Sequence, residues 1–215
     1  MFGESGDDLP WRFRVPQEIV EAAEPETRAA FETLCATLAG LANAPELSEV
    51  SIGDLDDYFT PFRTVQGAEA WRNNRDWLRE HPGSTGPAVA ERFRGASEIS
   101  TDAERAARAA LEPLRENLND LVRDHVLILP TVPGPAPLRT HRGEKIDQVR
   151  AATLRMTTPA AIGGLPAVSV PLLTVPSSLG PAPVGVCLVS RAGTDIALVR
   201  LARKLADLLA ETDAA

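Results

Sequence analysis

The pattern of apolar and polar positions changes character near residue 124. Before that point apolar residues recur every three or four positions, as they do in helices with one buried stripe. From Pro25 the stripe is Phe31, Leu34, Cys35, Leu38, Leu41 and Ala42, which predicts a helix ending near Gly40 or Asn43. Pro25 suits its first turn, where a missing N–H is no loss. Asp54 is the predicted cap of a long helix carrying Tyr58, Phe59, Phe62, Val65, Trp71 and Trp77, stopped at His81-Pro82-Gly83. "GPAVAERFRGAS" predicts a shorter helix. After "STDAE", where Thr101 and Glu104 have capping-box spacing, Ala107, Leu111, Leu114, Leu118, Leu121 and Val122 line one face. Pro113 inside that run predicts a kink or a division.

Beyond residue 124 the period shortens. "VLIL" and "VGVCLV" are apolar on both alternating faces, which predicts strands covered on both sides, as in α/β proteins. "GGLPAVSVPLL" predicts a tight glycine turn at Gly163-Gly164, then a short buried strand ended at Pro171. Residues 145–158 read as a helix. A last helix starts at Gly193-Thr194, with Ile196, Val199, Ala202, Leu205 and Leu209 on one side. Two weaker strands, "WRFRVP" and "SEVSIG", bring the predicted total to five. The expected organisation is an irregular lead-in (1–23), a mainly helical flank (24–124), and sheet strands with the C-terminal helix (125–215). Strands buried on both faces need neighbours at both edges, and five are too few to supply them. The sheet is predicted to be incomplete.

Composition narrows the partners. A formal net charge of −8 argues against nucleic acid, which needs basic surface. No run reaches transmembrane length, and the acidic start "MFGESGDDLP" does not resemble a signal peptide. Cys35 and Cys187 sit among apolar neighbours, as small buried residues in a reducing compartment. The expectation is a cytoplasmic protein without membrane attachment, and heavy arginine and alanine usage fits a GC-rich bacterial genome. His81, His125 and His141 lie far apart, so neither a metal nor another cofactor is predicted. Lysine occurs only at Lys145 and Lys204.

Three blocks in order, "VLILPTVPGPAP", "TTPAAIGGLPAVSVPLL" and "PVGVCLVSRAGTDIALVRLARKLA", resemble the C-terminal half of amidase-signature hydrolases. "DDYFTPFRTVQGAEAWR" and "GPAVAERFRGASEIS" are similar to the helical segment before those blocks. The resemblance runs from about Trp11 onward. It implies an α/β/α sandwich with a mixed sheet flanked by helices, of which this chain is a part, and hydrolysis of amide C–N bonds. It also implies a Ser–cis-Ser–Lys triad in a Gly/Ser-dense stretch of the N-terminal half, and this sequence has no such stretch. Ala161 stands where many family members carry Asn.

No residue of the chain is therefore predicted to be catalytic. Lys145 lies in the polar "HRGEKID" and Lys204 follows Arg203 on the last helix, whereas a triad lysine must be buried and neutral. Ser177-Ser178 reads as a turn. A Cys187–His125 pair is weighed against a core cysteine, and the core reading prevails. The candidate substrate-binding residues are Pro130 and Thr131, beyond a buried strand's C-terminal end, with Gly163 and Gly164. The resemblance implies that the Pro130-Thr131 loop borders the substrate pocket.

Two readings follow. The chain is the C-terminal portion of an amidase-type hydrolase, contributing scaffold and pocket wall for a small amide substrate, with the catalytic half supplied elsewhere. Alternatively it is a non-catalytic remnant that associates with a copy of itself or a partner subunit.

Overall fold

The computed structural model describes residues 8–213, so most of the acidic start lies outside the described residues. Five strands form one mixed sheet: β1 (Arg12–Pro16), β2 (Glu46–Val50), β3 (Val126–Pro130), β4 (Ala167–Ser177) and β5 (Gly180–Val189), in the order β2-β1-β3-β5-β4. β1 runs parallel to β2 and β3, while β5 runs antiparallel to β3 and β4. All five predicted strands are present.

Alternation along the central strands builds two cores. Val126 and Ile128 of β3, with Val184, Val186 and Leu188 of β5, face α2 (Pro25–Ala39) and α7 (Asp195–Asp213). Leu127, Leu129, Cys187 and Val189 face the other way. There they meet Tyr58 of α3 (Leu55–Glu80), Leu118 of α5 (Thr101–Leu121) and Met156 of α6 (Glu144–Gly163). The result is a helix–sheet–helix sandwich, with α4 (Pro87–Ser97) packed outside on α3.

Several expectations change. The lead-in also holds α1 (Gln17–Glu21), a helix too short to show a period. The cap of α5 is Ser100, whose hydroxyl accepts from the Ala103 amide (3.1 Å). Thr101 and Glu104 therefore form no capping box. Glu104 pairs instead with Arg72 (2.5 Å) and Arg108 (2.7 Å), and their hydrogen bonds hold its carboxyl below the usual range. α5 runs unbroken through Pro113, which is exposed on the solvent side, where water can satisfy a freed carbonyl. α7 buries Ala197, Leu198, Leu201, Ala202 and Leu205, whereas Ile196 and Val199 are 46% and 55% exposed. The two stripes share Ala202 and Leu205, and the leucine-rich one wins the core.

The largest change concerns β4. It does not stop at Pro171 but continues to Ser177, with a register shift between Val170 and Leu173. It is also an edge strand here, and its first half is only partly buried. Proline is tolerated at such a place because a bulge or an open edge asks for no N–H.

One acid locks α1 to the approach of α3. The Glu18 carboxylate accepts from the Ser51 hydroxyl and from the amides of Ile52 (3.0 Å) and Gly53 (3.2 Å). Partial burial works against the charge, but those hydrogen bonds outweigh it and hold the carboxyl below its ordinary range. A depressed acid contributes stability above its unfolded value and loses it as pH falls through the folded one. Urea midpoints should thus fall more on acidification below about pH 4.5 in the wild type than in Glu18→Gln.

Candidate functional site

β3 ends in buried Pro130, and the chain then turns outward. The Thr131 amide donates to the Gly185 carbonyl (2.8 Å), carrying the ladder one residue past the strand. This fixes the Thr131 side chain beside β4, where its hydroxyl and that of Ser169 lie 2.6 Å apart. Both hydroxyls sit over Gly185, and a Cβ at that position would overlap them. Gly185→Val is expected to break the Thr131–Ser169 contact and cost about 1–3 kcal/mol by overpacking. Chemical denaturation reads the cost, and hydrogen exchange at the Thr131 amide reads the local loss.

Gly163 and Gly164 have a structural role in this geometry. Gly163 is the last residue of α6, and a Cβ there would lie 2.7 Å from Leu165 Cγ. Gly164 takes the left-handed conformation (φ 64°, ψ 34°) that ends the helix. Its amide donates to the Ala161 carbonyl (3.2 Å), and the Leu165 amide to Ala160 (3.1 Å). The Gly163 carbonyl accepts from Asn119 Nδ2 (3.2 Å). Because Ala167 lies opposite Val189, which pairs with Leu127, this turn sits by the start of β3. Thr131 lies past the other end, about 10 Å or more along the strand. The four predicted residues therefore do not converge on one point.

Sequence reasoning missed Ser169 and Gly185. Ser169 is the lone hydroxyl in "PAVSVPLL" and Gly185 the lone gap in "PVGVCLV", but only the β4–β5 register brings them under Thr131.

The nucleophile candidates are disposed of by position. Lys145 and Lys204 are both exposed, and Lys204 Nζ rests 4.6 Å from the Trp11 ring centroid. Ser177 caps the β4–β5 turn, donating to the Gly180 carbonyl (2.7 Å) and accepting from the Leu179 amide (3.2 Å). Cys187 is buried opposite Leu129, four residues from His125, a separation of about 13 Å. Burial pushes its thiol up to about 11, and burial with the nearby Glu32 does the same to Cys35. Neither is an activated cysteine. Among the described residues no group of three or more His, Cys, Asp or Glu is placed to hold a metal. Among the described residues no helix is long and apolar enough to cross a membrane.

A mixed sheet between two helical layers, entered by this order of strands, is matched by known proteins. The amidase family profile covers residues 10–199. The chain belongs to the amidase family. Amidase 1 of Oryza sativa subsp. japonica is 30% identical over 146 residues, 66% of this chain and 32% of the rice protein. Amidase 1 of Arabidopsis thaliana is 29% identical over 159 residues, 74% of this chain and 36% of its own length. A crystal structure of an amidase superposes with a TM-score of 0.76 at 27% identity, covering 91% of this chain and 45% of that one. Kluyveromyces lactis allophanate hydrolase superposes with a TM-score of 0.75 at 23% identity, covering 92% and 32%. This amidase chain thus spans about a third of those curated relatives and under half of those structures.

Proposed function

We propose that this chain is the C-terminal portion of an amide-bond hydrolase, supplying sheet scaffold and one wall of the substrate pocket while another segment supplies the nucleophile. The observation that carries this reading is the pairing of an amidase fold with the exposure of both lysines. The family's chemistry, as the resemblance implies it, needs a buried neutral lysine, and neither side chain is placed for that work. In the complete enzyme a small amide would lie against Thr131 and Ser169, whose hydroxyls orient it, with the Gly163-Gly164 turn holding the far end of the wall. Two free cysteines, of which Cys187 is buried, suit a reducing cytoplasm, and the arginine-rich composition a bacterial host.

The contrast between the two sheet edges supports a missing neighbour at β4. β2 carries Glu46 and Glu49, and Glu46 pairs with Arg12 (3.3 Å), the charged dressing that protects a free edge. β4, "AVSVPLLTVPS", carries no charge along its length. The same edge favours a second reading, in which two copies pair β4 with β4 and no chemistry is done. Tagging the chain at its own genomic locus and mapping what co-purifies separates the two. The hydrolase reading expects a polypeptide with a Gly/Ser-rich segment and a lysine. Recovery of the chain with itself alone contradicts it and favours the homodimer.

A further inference from the structure

A cleft of about 480 Å³ opens between α3, α4 and α6, on the sheet face opposite α2 and α7. Its floor is apolar, with Phe93, Ala96 and Leu154, and its rim carries the exposed Val89 with Arg63, Arg92 and Arg150 against the single carboxylate of Asp147. The volume falls in the range of small-molecule sites.

The ion pairing of these helices singles the cleft out. Elsewhere on them every arginine holds a carboxylate: Arg72 with Glu104, Arg75 and Arg79 with Asp76, Arg94 with Glu91 and Glu98, Arg155 with Asp56. Arg92 and Arg150 hold none, and Arg63 makes only a contact with the Phe59 ring, 5.7 Å from its centroid. In a chain of net charge −8, three guanidiniums that form no ion pair stand around one apolar floor with a single carboxylate among them. Guanidinium forks match the planar, two-oxygen geometry of a carboxylate, and Val89 and Phe93 leave room for an apolar body behind it.

We infer that this cleft binds a monocarboxylate with an apolar or aromatic body, its acid group on Arg92 and Arg150 and its body on Phe93. The ligand is either the acid itself or the acidic tail of a larger molecule. Leu154 is nine residues before Gly163, about 14 Å along α6, so the cleft is not the glycine turn. The inference does not depend on the amidase reading, because binding is read without turnover.

The test is calorimetric titration of the full chain with 4-phenylbutyrate and with its neutral isostere, 4-phenylbutanamide. The acid is expected to bind about tenfold or more tighter than the amide, and to weaken as salt is raised. Arg92→Gln/Arg150→Gln should weaken the acid at least about tenfold without lowering the unfolding midpoint, since both arginines are exposed and without ion pairs. Val89→Glu, which adds a like charge at the rim, should do the same by repulsion. Equal affinity for acid and amide, no binding of the acid at millimolar concentration, or unchanged binding in both variants overturns the assignment. If a larger molecule is the natural ligand, its acidic tail competes with 4-phenylbutyrate, and a tail-less analogue does not.

Discussion

Leu188→Ala is expected to lower the unfolding free energy by about 2–5 kcal/mol, read from the urea midpoint at unchanged slope. Leu188 is fully buried on β5, opposite Ile128 of β3 and Val168 of β4, and points into the core under α2 and α7. The site is held by strands on both sides and by two helices above, so it cannot collapse to fill the void, and the upper part of that range is expected. Val199→Ala on α7 is the control. Its side chain is 55% exposed, and the change should stay within about 0.5 kcal/mol. A large effect at Val199 would mean that α7 is docked by its other stripe.

Ala167→Pro is expected to abolish association through the sheet edge while leaving the isolated chain folded. The Ser190 amide donates to the Pro166 carbonyl (3.2 Å), which sets the alternation along β4. Val168 and Val170 then turn their backbone groups toward β5, and Ala167 and Ser169 turn theirs outward. Proline at 167 removes one outward donor and crowds an incoming strand, but takes nothing from the β4–β5 ladder. The monomer's stability should change by less than about 1 kcal/mol. Sedimentation of the chain with its partner, or with itself, should shift from complex to monomer. Retention of the complex would place the interface elsewhere.

Much of this architecture was legible because periodicity is local. The stripe Phe31–Leu34–Leu38 and the double-faced "VLIL" each announce their element without reference to the rest of the chain. What could not be read depends on pairing. β4 looks interior from "AVSVP" alone, and only the sheet order shows that its outer side is open. Pro171 reads as a terminator until the register shift beside it is known. Of the candidate site, Pro130 and Thr131 were accessible from the rule that ligands gather past strand ends, and Thr131 does meet a second hydroxyl there. Ser169 and Gly185 were invisible because they approach Thr131 from two other strands. The arginine cleft was invisible for the same reason, since its charges come from three helices. On α7 two overlapping stripes gave equal signals, and leucine content decided between them.

The central claim is that this polypeptide holds a wall of an amidase fold without the group that attacks the amide. It is tested most directly by treating one sample of the purified chain with a fluorophosphonate serine probe and a second, unlabelled sample with a chromogenic aryl amide. The account predicts no labelled serine and no burst of aryl amine, because both lysine side chains are exposed, Lys204 with its Nζ on the Trp11 ring, and a triad lysine must be buried and neutral. A burst stoichiometric with the chain, with the label mapped to one of its serines, would contradict it.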